Sequence, residues 1–324
     1  MTDVEALQAH LADTYGFHAK FAFSFEDDVV LLRDAADRRW VARVFPTRRP
    51  RATVEGDAGV LAWLEDRGYP AERRISADCV SMLEDGRTVL VTQGVPAVAR
   101  ARRRQTIKDA GGIRGLGELL ARLGTLEPDA EAVGAVRAVR RPGGAWHHMA
   151  DGLPAAELAV AADWLTEARE RAGVRELAYL DSLGDALAAI DACDGLPEAL
   201  IHPDFVLANV VATEAPGGPA MVLVDWAGAG RGPRLWALAF LLWAEGAKDL
   251  RRVDLAMAGY RRHVRLEPEE LDRLAGAVGA RPLVFEIWHL HHGGRAAADA
   301  AAAVAQSGRL ASAIAERARA AFRA

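Results

Sequence analysis

Asp204 stands two residues after His202 and five before Asn209, in the run Leu200-Ile201-His202-Pro203-Asp204-Phe205-Val206-Leu207-Ala208-Asn209. Phosphoryl transfer asks a protein for few groups. A carboxylate must orient and deprotonate the attacking hydroxyl, and oxygen ligands must hold Mg²⁺ against the phosphates. Asp204 suits the first task. A loop of this length can fold the Asn209 amide oxygen back beside that carboxylate. Asp225 follows the apolar run Val222-Leu223-Val224, the return strand of a hairpin that turns at Ala215-Pro216-Gly217-Gly218-Pro219. It can bring a second carboxylate to the same metal. Each piece alone is ordinary, since an Asp after a strand usually caps a turn and an Asn before one is a common turn residue. The conjunction of loop, strand, turn, strand and Asp is what points to chemistry.

The elements that must position these groups change character along the chain. An amphipathic helix over residues 3–15 presents Val4, Leu7, Leu11 and Tyr15 on one face. Strands follow at Ala19–Phe25, Val29–Arg33 and Trp40–Phe45, then a helix from about Thr53 to Arg67 and a hairpin from Val80 to Thr92. After Pro96 helical periodicity dominates, near residues 114–126, 155–171, 175–191, 235–247, 249–264, 268–279 and 282–322. The expected fold is α+β and bilobal. A small N-terminal antiparallel sheet lobe, residues 1–95, precedes a large helical C-terminal lobe, residues 96–324, which carries the loop and the hairpin. A cleft between lobes is a favoured place for a cofactor.

The segment from Leu200 to Trp243 resembles the aminoglycoside phosphotransferase and choline kinase family, which has a protein-kinase-like fold. That family usually carries His-Gly-Asp-x-x-x-x-Asn and an Asp at the end of the next hairpin. The segment from Trp226 to Trp236 also resembles the stretch after the metal ligand in bacterial members. The resemblance implies a kinase that uses ATP or GTP with Mg²⁺ to phosphorylate a hydroxyl of a small polar acceptor. Asp204 is then the catalytic base, His202 orients the loop, and Asn209 and Asp225 are metal ligands. It also implies that Arg43 stands where the family has a phosphate-binding lysine. Asp57, or Glu55 two residues earlier, would be its acidic partner, and the backbone around Gln93 and Val95 would meet the nucleobase.

Several positions depart from the family pattern. Pro203 replaces a Gly, fixing a dihedral and removing an N–H. Arg43 suits phosphate with a geometry unlike that of Lys. The loop Ser24-Phe25-Glu26-Asp27-Asp28 has no glycine and three acids, where a phosphate cradle prefers backbone amides. Ala237 stands where many members carry an Asp that steadies the catalytic loop. These departures keep a second reading open, a catalytically weak relative that binds nucleotide or ligand as a regulatory module.

Composition excludes other classes. The 324 residues carry a net charge of −5, and a phosphate-backbone binder usually has a basic excess, so no nucleic-acid partner is expected. The basic residues are almost all arginine, with lysine only at Lys20, Lys108 and Lys248, a codon-bias signature. The arginine runs 48–51 and 100–104 read as solvated loops. Cys79 and Cys193 follow no metal or redox spacing. An acidic N-terminus without an apolar core, and no uncharged span of membrane length, lead to a cytoplasmic expectation with no membrane partner. His147 and His148 could line the acceptor pocket, but a capped loop is the favoured reading. His289 and His292 share a helix face without an evident third ligand.

Overall fold

A computed structural model describes residues 3–26, 28–126 and 133–323. Asp27, in the acidic loop, lies outside them. In chain order the elements are α1 (Val4–Tyr15), β1 (Ala19–Ser24), β2 (Val29–Asp34), β3 (Arg39–Phe45), α2 (Arg51–Asp66), β4 (Val80–Met82), β5 (Thr88–Gln93), α3 (Arg100–Asp109), α4 (Gly112–Thr125), α5 (Val133–Arg140), α6 (Pro154–Arg171) and α7 (Val174–Ala188). Then follow β6 (Glu198–Ile201), a 3₁₀ turn (Leu207–Asn209), β7 (Val210–Ala215), β8 (Gly218–Leu223), β9 (Gly230–Pro233), α8 (Arg234–Gly246), α9 (Arg251–Tyr260), α10 (Pro268–His291) and α11 (Ala297–Arg323). The architecture is α+β. A five-stranded antiparallel sheet lies near the N-terminus, and helices make up most of the rest. The chain divides into two compact units: residues 1–110, 128–139 and 210–227, and residues 111–127, 140–209 and 228–324.

The first unit is built on the sheet, in strand order β1-β2-β3-β5-β4. Period-2 alternation sends Val30, Leu32, Ala42, Val44, Val89 and Val91 to one face, where they pack with Leu7 and Leu11 of α1 and with Phe17. The same alternation turns Arg43 to the opposite face. The paired hairpin β7–β8, with Val210 opposite Leu223, belongs to this unit. It is tied to the segment after β5, where Thr213 donates to the Pro96 carbonyl at 2.7 Å and Val98 N–H donates to Ala212 at 2.9 Å.

The arginine runs are solvent-exposed as expected, with two departures: Arg49 is buried, and the second run is helical rather than a loop. Arg49 is 4% exposed and pairs with the fully buried Asp57 at 2.9 Å, its guanidinium over the Phe45 ring. Residues 100–109 form α3, which has no apolar stripe. Arginine's high helix propensity accounts for it. Removing one charge of a buried ion pair leaves the other uncompensated and costs about 3–5 kcal/mol. Asp57→Asn, which keeps an acceptor and loses the charge, should lower unfolding free energy by about that amount in urea titration. A change below ~0.5 kcal/mol would mean that the Arg49 pair contributes nothing to the fold.

The second unit packs α6, α7, α10 and α11 around Leu165, Leu180, Leu183, Leu283 and Ile287. The expected separation of helical segments 268–279 and 282–322 is not found, although Pro282 stands at it. α10 runs through it, and the break falls at Gly293-Gly294, with Gly293 at φ +71°. Proline removes one N–H from the ladder, but the turn around it is buried on both sides, at Ala280, Arg281, Leu283 and Val284. Packing holds the helix across the gap. Among the described residues, no helix is long and apolar enough to cross a membrane.

Candidate active site

The second unit carries the Asp204 loop. β6 pairs antiparallel with β9, Ile201 opposite Gly230, and delivers the chain to His202. Gly230 is required there. A Cβ would lie 2.6 Å from the Arg141 carbonyl. His202 is fully buried, and its Nδ1 accepts the Asp204 N–H at 3.0 Å. That bond places the ring proton on Nε2. The 3₁₀ turn then brings Asn209 back. Its Nδ2 donates to the Asp204 carbonyl at 2.9 Å and to Asp204 Oδ2 at 3.1 Å. Using the amide nitrogen on Asp204 turns the Asn209 oxygen away from it. Asp204 Oδ1 is buried and has no hydrogen-bond partner among the described residues. A buried unsatisfied carboxylate oxygen is rare and calls for an explanation such as a catalytic role.

Behind the loop lies a buried ion pair. Arg281 of α10, 2% exposed, bonds Glu157 of α6 at 2.7 Å and donates to the Pro203 carbonyl at 3.0 Å. Glu157 also accepts the Trp146 N–H at 2.6 Å. Burial pushes the Glu157 carboxyl above its ordinary range, against the pull of Arg281 and the Trp146 hydrogen bond. Ala237 is buried in α8 and offers the loop no polar group.

The first unit carries a separate charged cluster. Arg43 is 9% exposed on β3 and bonds Glu72 at 2.8 Å, with Asp225 at 3.3 Å from its Nε. Glu72 is the hub. It accepts from Thr92 Oγ1 at 2.8 Å and from the Asp225 N–H at 2.7 Å. Burial opposes the Arg43 charge, and the Glu72 and Asp225 carboxylates outweigh it, raising the guanidinium's pKa further. Asp225 has φ +70°, an uncommon conformation for a non-glycine residue and one that clusters at functional sites. Its side chain keeps 23% exposure.

The expected partners of Arg43 are corrected here. Asp57 is engaged with Arg49, and Glu55 pairs with exposed Arg51 at 2.8 Å. The acid comes instead from the loop after α2, and it was missed in the sequence. Residues 70–72 run alongside the end of β8, with Leu223 N–H donating to Pro70 and Glu72 N–H donating to Leu223. Nothing periodic marks Glu72. The one available signal is an acid beside Pro70, just past the end of a helix.

At the segment after β5, the Gln93 N–H donates to the Arg73 carbonyl at 2.7 Å, and Gly94 packs so tightly on Arg39 that a Cβ would lie 2.7 Å from the Arg39 Cβ. Trp146, Phe285 and Trp288 form an aromatic group with centroids 5.1 and 6.0 Å from Trp146, and His148 sits edge-on at 4.9 Å. His289 faces Trp288 and His292 stacks on it. Among the described residues, no three His, Cys, Asp or Glu side chains group as a metal site.

A model described as "Phosphotransferase enzyme family" matches residues 19–276. No curated protein matches the chain. Among solved structures, amicoumacin kinase hAmiN, in complex with AMP-PNP, Ca²⁺ and Ami, is similar with a TM-score of 0.63 and 15% identity, covering 97% of this chain and 94% of that one. The choline kinase LicA from Streptococcus pneumoniae gives 0.60 at 11% identity, covering 94% and 98%. An aminoglycoside-3'-phosphotransferase of type VIII gives 0.56 at 20% identity, covering 88% and 98%. The shared architecture is the protein-kinase-like fold.

Proposed function

This chain belongs to the phosphotransferase enzyme family, and on that premise we propose that it moves the γ-phosphoryl group of ATP or GTP onto a hydroxyl of a small polar acceptor. The observation that carries this reading is Asp204 Oδ1, buried without a hydrogen-bond partner among the described residues while Oδ2 is held by Asn209. An acceptor hydroxyl would supply the missing donor, and the carboxylate would take its proton as the oxygen attacks phosphorus. His202 and Asn209 keep that carboxylate in one orientation.

Asn209 and Asp225 lie just outside the two ends of one paired hairpin, whose register sets Val210 opposite Leu223. Both offer hard oxygen donors, Asn209 through the oxygen that Asp204 does not use, and such donors fit Mg²⁺ with phosphates and water completing the shell. The metal would neutralise charge on the phosphates. Arg43 would add a cation beside Asp225, steadied by Glu72, and Val95 remains the candidate for contact with the nucleobase, since Gln93 N–H is spent on Arg73. The acceptor is a hydroxylated amine, sugar or antibiotic. An antibiotic would make the chain a resistance factor. Nucleoside triphosphate as co-substrate and two free buried thiols suit the cytoplasm.

A regulatory module that binds nucleotide without turnover is the second reading. What favours it is the engagement of Arg43 by two carboxylates, which reduces the positive field available to phosphates. Thermal melting with Mg²⁺ and ATP or GTP tests nucleotide binding for both readings. At a hundredfold excess over Kd, stabilisation should reach about 2.7 kcal/mol, and it should vanish when Mg²⁺ is chelated. No shift with either nucleotide would remove both readings.

A further inference from the structure

We propose that Arg281 is a positioning residue that holds the catalytic loop through the carbonyl of Pro203. The proposal rests on the reading of Asp204 as the base, but it concerns a residue on a helix some eighty positions away. The peptide groups around Asp204 are each tied down. Its N–H goes to His202 and its carbonyl to Asn209, both within the loop itself. The preceding carbonyl, that of Pro203, goes to Arg281 Nη2 at 3.0 Å. Pro203 has no N–H to offer a competing bond, and its φ is fixed. Arg281 is therefore a long-range tie that registers this loop against the helices.

The energetics support positioning over simple stabilisation. A buried ion pair often adds nothing to stability relative to apolar residues of equal volume, because desolvation offsets the attraction. Here the guanidinium is 2% exposed and Glu157 is fully buried. An aliphatic pair would pack as well against Phe240, whose ring centroid lies 4.8 Å from the guanidinium carbon. No aliphatic side chain can bond a carbonyl. The planar fork does so while its other arm grips Glu157 at 2.7 Å, and Glu157 in turn holds the Trp146 N–H. One carboxylate and one guanidinium thus fix the loop bearing Asp204 to the loop bearing Trp146. A base displaced by about an ångström loses roughly a hundredfold in rate, so such a tie acts on turnover more than on affinity.

The test removes both charges together. Arg281→Met with Glu157→Gln avoids an orphaned ion and leaves an acceptor for Trp146. The double variant should melt close to the wild type and bind AMP-PNP with Mg²⁺ with less than threefold change in Kd. Hydrogen exchange in peptides spanning residues 200–209 should accelerate about 10- to 100-fold, the loss of one charge-assisted bond, with segments outside this loop and the Trp146 loop unaffected. Mg²⁺-dependent ATP hydrolysis, with water as acceptor, should fall by a similar factor. If the double variant fails to fold, Arg281→Lys replaces it. Lysine reaches one partner, and loop exchange should rise at least threefold. A folded variant whose 200–209 segment exchanges like the wild type overturns the proposal. Asp204→Asn run beside it separates the two claims. Hydrolysis unchanged in Asp204→Asn refutes the base, whereas hydrolysis lost there but kept in the Arg281 variant refutes the tie.

Discussion

Asp204→Asn should lower turnover by about 10²–10⁴-fold, the range for losing a general base, and leave nucleotide Kd within about a factor of two. The substitution keeps the shape of the side chain, so the contacts around it survive in form. His202 still receives the residue's N–H, and Asn209 still has the residue's carbonyl to bond. What disappears is the charge on the oxygen that has no donor of its own. A base that takes the acceptor proton contributes mainly in the transition state. The loss should therefore fall on kcat, with little change in KM for nucleotide. Steady-state kinetics beside isothermal titration with AMP-PNP and Mg²⁺ would show the split. Equal loss of nucleotide binding would instead assign Asp204 to the nucleotide site.

Glu72→Ala should cost about 3–5 kcal/mol of folding stability, because it strips the partner from a buried cation. Three donors lose their acceptor at once: Arg43, the Thr92 hydroxyl and the Asp225 N–H. Glu72→Gln keeps the shape and one oxygen, and it should cost about 1–3 kcal/mol. Both should weaken binding of the Mg²⁺ nucleotide, since Asp225 depends on Glu72 for its backbone position and Arg43 for its neighbour. Urea titration measures the first effect and calorimetry the second. A Glu72→Ala protein within 1 kcal/mol of the wild type would show that Arg43 is satisfied by Asp225 alone.

The contrast between these two residues shows which parts of the site a sequence can disclose. The groups around Asp204 close on themselves within eight residues, from His202 to Asn209, so their types and spacing already imply their contacts. The hairpin was legible for the same reason. Its register follows from a short turn. Glu72 meets Arg43 across 29 positions and the Asp225 N–H across 153. A tertiary bridge between residue 71 and Leu223 brings it there, and no local pattern encodes that. An acid on the preceding helix was the natural expectation, yet Asp57 is claimed by Arg49, a residue that sequence alone placed in solvent. Helix α3 lacks an apolar stripe, so periodicity does not mark it, although its propensity is readable. The helix break falls at Gly293-Gly294 and not between residues 279 and 282, because burial on the neighbouring turns maintains the helix across Pro282.

Transfer of labelled γ-phosphate is the most direct test of the central claim. Wild-type protein and Asp204→Asn are incubated with γ-labelled ATP or GTP and Mg²⁺ against a panel of hydroxylated amines, sugars and antibiotics. The label should enter an acceptor hydroxyl with the wild type and do so at least a hundredfold more slowly with the variant. Label moving equally fast with both proteins, or staying on the nucleotide for every acceptor while the wild type binds it, would contradict the account.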